Sequence, residues 1–186
     1  RTLLMELAGK IYTEADYYSL PEDVRAELID GQIYYQAAPS RLHQDILGSL
    51  YAAIYNYIKS KGGACKVYPA PFAVKLSKDK DNITEPDISV ICDPGKLTDK
   101  GCTGAPDWII EIVSPSNPGH DYMRKMNLYM HAGVREYWIV NPMKNTVTVY
   151  DFEHETGTNQ YVFDDTIPVC IYEDLSICIS RLLQES

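Results

Sequence analysis

The sequence predicts one α/β domain of mixed α+β type, in which helices flank a mixed β-sheet and further β-hairpins are added. A strand, a helix and a strand follow one another between residues 107 and 140, an order typical of a crossover between parallel strands. Asp30-Gly31, between two apolar runs, is typical of a two-residue hairpin turn. Because 45% of the 186 residues are hydrophobic, we expect one sizeable core and a single domain over 1–186, with residues 1–11 as an N-terminal extension.

Two helices are predicted in the first third of the chain. Thr13 is suited to cap a short helix over residues 13–20. A long helix is predicted at about 41–60, opened by Pro39-Ser40 and stopped by Gly62-Gly63. Its apolar face has helical spacing and comprises Leu47, Leu50, Tyr51, Ile54 and Ile58.

Short strands are predicted in the middle of the chain. Residues 65–76 have strand character interrupted by prolines, and residues 85–92 form a strand that begins with two acidic side chains. A polar turn at 78–82 separates these segments. Residues 93–103 are predicted to form a polar, glycine-containing loop that leads into the central strand.

The segment after the central strand begins with a helix. Asn117 caps it, Pro118 occupies its first position, and it runs to about His131, before Gly133. Its inner stripe comprises Tyr122, Met126 and Tyr129. The β elements predicted to follow are residues 135–142, residues 146–150 and short segments over 160–180.

Composition limits the function classes. The formal charge of −9 counts against broad, non-specific binding of phosphate backbones, although the acidic residues concentrate near the two ends and leave room for a local nucleic-acid surface. No apolar run reaches the roughly 18 residues of a membrane span, and residues 1–9 lack the pattern of a signal peptide. We therefore expect a cytoplasmic protein without membrane contact.

The five cysteines are scattered, odd in number and without a CxxC pair: Cys65, Cys92, Cys102, Cys170 and Cys178. This spacing argues against a disulfide framework and against a zinc site. We therefore expect reduced thiols.

The central strand carries one charged residue among apolar ones. The stretch from Trp108 to Val113 is short, β-branched and bounded by prolines, which is typical of a buried strand. Because strand side chains alternate, Glu111 shares a face with Ile109 and Val113. A buried carboxylate is costly unless it is paired, protonated or bound to a metal. Glu111 therefore needs a partner.

Asp87 is the first candidate partner. Asp107 lies on the same face as Glu111, but four residues along a strand span roughly 13 Å, too far to hold one ion together. Asp107 therefore has the character of a strand-entry or cap residue. If residues 86–92 and 107–113 are neighbouring strands, Asp87 and Glu111 can face each other at about 5 Å. Two carboxylates at that distance repel unless a proton or a cation such as Mg²⁺ lies between them.

Three more residues can reach the same place. Lys125, on the helix after the central strand, can bring a positive charge, and Glu27, close to the hairpin turn, can add a third carboxylate. His43 falls on the apolar face of the long helix. Such a set suits metal-assisted phosphodiester hydrolysis. The lysine would orient a water, help to deprotonate it or stabilise the developing negative charge.

Each of these residues also has a structural interpretation. Asp87 follows a proline and can be a turn or strand-start acid. Lys125 can form an ordinary surface pair with Asp121, one helical turn earlier. Glu27 can face solvent, and His43 can be a hydrogen-bonded core or boundary histidine. These alternatives remain open from the residues alone.

Motifs in a fixed order carry a resemblance to a known family. They are Glu27-Leu-Ile-Asp-Gly31, the helix of His43, Glu85-Pro-Asp87, the stretch from Pro106 to Ser116 around Glu111, Lys125 with Tyr129, and the stretch from Gly133 to Pro142. Together they resemble the Uma2 family of endonucleases, within the PD-(D/E)XK, restriction-endonuclease-like superfamily. The resemblance covers the chain from about Tyr12 to Arg181.

The resemblance implies a restriction-endonuclease-like core and a nuclease site that uses Mg²⁺, with Mn²⁺ as a substitute. It implies that Asp87 and Glu111 bind the metal. Val113 stands where the superfamily motif has its lysine, and Lys125 matches the place on the helix to which this family has moved it. Glu27 and His43 match further positions near the site.

We therefore expect a Mg²⁺-dependent endonuclease that acts on DNA. Glu27, Asp87 and Glu111 would hold the metal, Lys125 would assist the water, and His43 would line the site. One alternative is a nuclease-fold binding or assembly protein with little or no catalysis, favoured by the net charge and the missing in-strand lysine. Another is a hydrolase of a different phosphate ester. The fifteen tyrosines and the apolar C-terminal β segments favour a homodimer.

Overall fold

The computed structural model describes residues 9–115 and 119–185, with only the backbone of residues 119–121. Most of the predicted N-terminal extension lies outside these residues. The predicted cap formed by Asn117 and Pro118 lies outside them too, as does the side chain of Asp121, the alternative partner of Lys125.

The helices are labelled α1 to α4 and the strands β1 to β14. The helices of the described residues are α1 (Glu14–Tyr18), α2 (Arg41–Lys61), α3 (Gly119–Ala132) and α4 (Ile179–Glu185). The strands are β1 (Ala26–Ile29), β2 (Gln32–Tyr35), β3 (Lys66–Pro69), β4 (Ala73–Lys75), β5 (Ile83–Thr84), β6 (Ile88–Ile91), β7 (Leu97–Thr98), β8 (Gly101–Thr103), β9 (Trp108–Ile112), β10 (Glu136–Asn141), β11 (Thr146–Asp151), β12 (Gly157–Val162), β13 (Ile167–Pro168) and β14 (Ser176–Ile177).

The strands form two mixed six-stranded sheets and one small pair. The first sheet has the order β2-β1-β5-β4-β8-β7, and the second has the order β12-β11-β10-β9-β6-β3. In the second sheet β9 pairs with β10 in parallel, as the crossover through α3 predicts, and with β6 in antiparallel. The α/β class with mixed sheets and flanking helices is thus confirmed, and the hairpin elements form a full sheet of their own.

The second sheet separates two hydrophobic clusters. Trp108, Ile110 and Ile112 on one face of β9 pack in the cluster that includes Leu50 and Ile54 of α2. Ile109, on the other face, packs in the cluster that contains Tyr129 of α3 and apolar residues of the first sheet. The predicted alternation of the central strand is confirmed. Glu111 therefore lies on the side of α3 and the first sheet.

Short-range signals in the sequence fix several element ends. Thr13 caps α1 in a reciprocal capping box with Asp16. Asp30 and Gly31 both have positive φ, at 50° and 76°, as a two-residue hairpin turn of the primed type requires. Gly62, at φ 65°, ends α2 in the left-handed conformation. Each of these predicted boundaries is confirmed.

Two predictions on secondary structure need correction. The short β segments predicted over residues 160–180 are confirmed as β12, β13 and β14, but from residue 179 the chain forms the helix α4, since Ile179 is buried and Leu182 and Leu183 pack against the same core. Residues 93–103 are not a plain loop: they contain a 3-10 turn and the paired strands β7 and β8. A Cβ at Gly101 would lie 2.1 Å from the carbonyl oxygen of Ala73, so the parallel pairing of β8 with β4 depends on glycine.

The prediction of five reduced thiols is wrong for one pair. Cys65 and Cys92 form a disulfide. The antiparallel register of β3 and β6 pairs Lys66 with Ile91, which brings the two flanking cysteines together. The strand register cannot be derived from the spacing of the cysteines, so this pairing could not be predicted from it.

Among the described residues, no helix has both the length and the hydrophobicity needed to cross a bilayer.

Thiol titration checks the cysteine pairing. Protein unfolded without reductant should present three free thiols per chain, those of Cys102, Cys170 and Cys178. Reduction before unfolding should raise the number to the five cysteines of the sequence. A titration that finds five thiols before reduction would show that Cys65 and Cys92 are not bonded.

A buried carboxylate outside the central strand, Glu136 on β10, fixes the C-terminal segment. It accepts hydrogen bonds from Trp138 Nε1 at 2.6 Å and from the backbone N–H groups of Cys170 and Ile171 at 2.9 and 3.0 Å. Since all three partners are donors, the amide of Glu136→Gln would face at least one of them with its own N–H groups. We expect the free energy of unfolding in urea to fall by roughly 1–3 kcal/mol. Glu155→Gln, at an exposed position, is the control, and equal midpoints for the two variants would contradict the assignment.

Candidate active site

The five predicted site residues come together beside the central strand. Glu111 lies in the middle of β9, and Glu27 lies on β1 of the first sheet. His43 and Lys125 reach the same place from the first turn of α2 and from α3. Asp87, directly before β6, completes the group. The site therefore combines residues from both sheets and two helices, and this arrangement depends on tertiary packing rather than on local sequence.

Glu111 is enclosed by hydrogen-bond donors. Its side chain is 4% exposed. Oε1 accepts from Lys125 Nζ at 3.1 Å and from the Tyr129 hydroxyl at 2.9 Å, while Oε2 accepts from the Tyr137 hydroxyl at 3.1 Å. Burial is the main cause that raises the pKa of Glu111, to about 7; Lys125 opposes the rise, and the charges of Glu27 and Asp87 add to it.

Lys125 links two buried carboxylates. Its Nζ lies 2.8 Å from Glu27 Oε2 and 3.1 Å from Glu111 Oε1. Burial alone would lower the pKa of Lys125, but the two negative charges outweigh it and the pKa lies above its usual value. The lysine is therefore cationic. The alternatives of a surface lysine and a solvent-facing Glu27 are both wrong, because both side chains are buried.

Asp87 extends the pairing of β6 with β9 through its side chain. The last backbone pair of that ladder is Ile88 with Ile110, so Asp87 comes next to Glu111. Its Oδ2 accepts from the backbone N–H of Ile112 at 2.7 Å, and its Oδ1 lies 3.3 Å from His43 Nε2. The predicted neighbourhood of the two carboxylates, on the same side of the sheet, is confirmed.

His43 is buried and hydrogen-bonded, as both its structural and its functional interpretation require. Its Nδ1 lies 3.2 Å from Gln44 Oε1, opposite the nitrogen that faces Asp87. Burial lowers the pKa of His43, but the hydrogen bond and charge of Asp87 outweigh it and the pKa is raised. Asp107, by contrast, lies elsewhere and accepts from the Cys92 N–H and from Arg135, as a strand-entry residue does.

Several residues at the site were not predicted from the sequence. Tyr137 is one, although it stands in the motif from Gly133 to Pro142 and on the same face as Ile109, its neighbour in the parallel register of β9 and β10. Arg25, Gln36 and Glu85 are others, and they line the pocket together with the predicted residues. Burial and the charge of Glu111 raise the pKa of Tyr137 well above its usual value, so its hydroxyl stays protonated and donates.

Comparison with known proteins gives the family. The model described as "Uma2: Putative restriction endonuclease" matches residues 14–176, most of the chain. The chain belongs to the Uma2 family. "Uncharacterized protein slr1290" of Synechocystis sp. (strain ATCC 27184 / PCC 6803 / Kazusa) is 29% identical over 125 residues, which are 67% of this chain and 64% of that protein. The chain thus matches somewhat less than two thirds of that relative's length.

A solved structure shares the fold of this Uma2 chain. The crystal structure of a "putative nuclease belonging to DUF820" from Anabaena variabilis ATCC 29413 superposes with a TM-score of 0.77. The match covers 92% of this chain and 97% of that one, at 24% sequence identity. At that identity the likeness concerns the fold, and it confirms the predicted architecture. Membership of the Uma2 family supports a nuclease, the class of enzyme that the family's description names.

The donor set of the Uma2 site suits a hard divalent cation. No three histidine, cysteine, aspartate or glutamate side chains converge on one point within the described residues, and Glu27 is turned onto Lys125. Mg²⁺ is commonly held by one or two carboxylates with waters, and each carboxylate offers about four lone-pair sites. Asp87 and Glu111 together retain free sites beyond the bonds described above. They border a cavity of about 50 Å³, which has room for an ion and a few waters.

Proposed function

We propose that the protein is an endonuclease that hydrolyses phosphodiester bonds of DNA with the help of Mg²⁺. The observation that carries the proposal is the buried Glu111 carboxylate, adjacent to Asp87 and fixed by Lys125, Tyr129 and Tyr137. Burial raises the pKa of this carboxylate at the wall of a pocket, and groups with perturbed pKa values cluster at functional sites.

The charge of the pocket supports a divalent cation. Four carboxylates, two cationic side chains and His43 lie at the pocket or directly behind it: Glu27, Glu85, Asp87 and Glu111 against Arg25 and Lys125. When all four acids are ionised, two negative charges remain with a neutral His43 and one with a protonated His43, the form that its raised pKa favours. A substrate phosphate would be repelled, and one divalent cation would remove that repulsion.

The residues of the chain have distinct roles in this proposal. Asp87 and Glu111 would hold Mg²⁺, with Glu27 close by as the predicted third carboxylate. The ion, when bound, would polarise the phosphoryl group and lower the pKa of a water. Tyr129 and Tyr137 orient Glu111, and the backbone N–H of Ile112 orients Asp87.

Lys125 acts through its charge. Because its pKa is raised, it stays protonated at neutral pH and is poorly suited to take a proton from water. Its ammonium group would stabilise negative charge that develops on the phosphate oxygens. Of the roles open to this lysine from the sequence, the structure therefore favours electrostatic stabilisation over deprotonation of the water.

A plasmid-nicking assay tests the proposal. Supercoiled DNA should be nicked in the presence of Mg²⁺ or Mn²⁺ and should remain intact with EDTA. Glu111→Ala should abolish nicking, because it removes one of the two acids that hold the ion. Asp79→Asn, which removes one exposed carboxylate from the polar turn before β5, should nick like the wild type. Nicking that survives Glu111→Ala would reject the assignment of the site.

A binding or assembly protein on a nuclease fold is the second candidate. It is favoured by the three donors around Glu111, which give both oxygens of the carboxylate a partner without a metal. Calorimetry separates the two functions, since this candidate predicts no binding of Mg²⁺ or Mn²⁺. The predicted homodimer stays a prediction, which the molar mass in solution would decide.

A further inference from the structure

Arg25 is the cationic side chain at the pocket whose charge is not matched by hydrogen-bonded acids. It lies directly before β1, opposite Gln36 at the open end of the β1–β2 hairpin. Its Nη2 donates to Gln36 Oε1 at 3.2 Å. Its Nε is buried and has no hydrogen-bond partner in the part of the chain that the structure describes. Lys125, the other cation, is held by two carboxylates.

Glu85 leaves the ion pair with Arg25 incomplete. Its Oε2 lies 3.8 Å from Arg25 Nε, outside hydrogen-bond distance, and it too lacks a hydrogen-bond partner among the described residues. The Glu85 side chain is 9% exposed. Buried polar groups without partners are costly, and a structural ion pair normally closes this gap. The unmatched guanidinium of Arg25, on a side chain that lines the pocket, indicates a ligand that supplies hydrogen-bond acceptors and negative charge.

The chemistry of Arg25 identifies the class of ligand. A guanidinium presents five N–H donors in a planar fork that matches the oxygens of a phosphate. The side chain remains 31% exposed towards the pocket, so a ligand can reach it. Glu85, at a distance of 3.8 Å, leaves the N–H donors of this fork unoccupied, although its charge competes with that of a phosphate.

We propose that Arg25 binds a backbone phosphate of the DNA substrate, with Gln36 as the residue that positions its guanidinium. This inference rests on the proposed function, since it assigns a substrate group to the same pocket. It adds the residue that selects a phosphate and holds it beside Asp87 and Glu111. Arg25 thus adds a group that recognises an anion to a pocket whose other cationic side chain, Lys125, is held by two carboxylates.

Binding of a fluorescein-labelled DNA duplex, followed by anisotropy over a series of KCl concentrations, tests the proposal. The titrations are done in EDTA and again in Ca²⁺. Arg25→Met should weaken binding by roughly ten- to a hundredfold, the range for a charged hydrogen bond. It should also lower the slope of log K against log [salt] by about 0.9, the value for one lost phosphate contact. Arg25→Lys should keep most of that slope, because it keeps the charge.

Two further variants sharpen the test. Glu85→Gln should strengthen binding, since it removes a negative charge that competes with the phosphate for Arg25. Arg181→Met, which removes an exposed arginine of α4, should leave affinity and slope unchanged. A purely structural ion pair predicts instead that Arg25→Met and Glu85→Gln both lower the unfolding midpoint and leave the salt slope as it was.

The outcomes separate this inference from the proposed function. If the wild type nicks DNA and Arg25→Met leaves the salt slope unchanged, the phosphate site alone is overturned. If Arg25→Met reduces the salt slope and the wild type does not nick DNA, the phosphate site is supported and the endonuclease is rejected. A wild type that binds the duplex neither in EDTA nor in Ca²⁺ would overturn the inference.

Discussion

Lys125→Met is expected to lower the free energy of unfolding by about 3–5 kcal/mol, the usual cost of breaking a buried ion pair from one side. Methionine fills nearly the same volume, so packing changes little. The loss comes from Glu27 and Glu111, whose carboxylates lie within 3.1 Å of the ammonium and would remain buried without a counter-charge. Urea unfolding at neutral pH measures it.

A double variant shows whether charge causes the loss. Lys125→Met combined with Glu111→Gln removes one of the stranded charges, and should recover at least about 1 kcal/mol relative to the sum of the two single variants. Lys144→Met, at an exposed position, is the matched control and should be close to neutral. A loss below about 1 kcal/mol for Lys125→Met would place the triad of Glu27, Lys125 and Glu111 among weak surface pairs and contradict its burial.

Asp87→Asn is expected to reduce cleavage on the order of a thousandfold or more, because it removes half of the paired charge that would hold the metal. The fold should persist. The amide oxygen can still accept from the Ile112 N–H, and the amide nitrogen can donate to His43 Nε2. Initial nicking rates in saturating Mn²⁺, together with the thermal midpoint, measure the two effects separately.

The same exchange at Asp79 provides the comparison for this prediction. Both substitutions remove one carboxylate and keep the shape of the side chain, but Asp79 is exposed and lies outside the pocket. An Asp87→Asn protein that retains most of its activity would exclude Asp87 from metal binding. Equal loss of activity and of thermal stability would show that Asp87 acts only through the fold.

Glu111 could be singled out from the sequence because it breaks a local rule. A carboxylate in the middle of an apolar strand is conspicuous, and the alternation of strand side chains sets its face. The antiparallel pairing of two adjacent apolar segments was then enough to bring Asp87 beside it. The hairpin at Asp30-Gly31 and the capping of α1 by Thr13 were predictable for a similar reason, since each depends on backbone preferences of a few residues.

Contacts between distant elements could not be derived in the same way. The bond between Lys125 and Glu27 depends on the packing of α3 against the first sheet, which no local pattern encodes. Tyr137 reaches Glu111 through the parallel register of β9 and β10. The disulfide between Cys65 and Cys92 depends on the register of β3 and β6. Register and packing are set by the whole core rather than by neighbours along the chain.

The most direct test of the central claim is a crystal soaked in Mn²⁺ and measured for anomalous scattering. The proposed function predicts one peak in contact with the carboxylates of Asp87 and Glu111, in the pocket that Arg25 and His43 also line. The same soak of Asp87→Asn crystals should remove it. The claim would be contradicted by a wild-type crystal at saturating Mn²⁺ that shows no manganese between the carboxylates of residues 87 and 111. In such a crystal Lys125 would still be bound to Glu27 and Glu111.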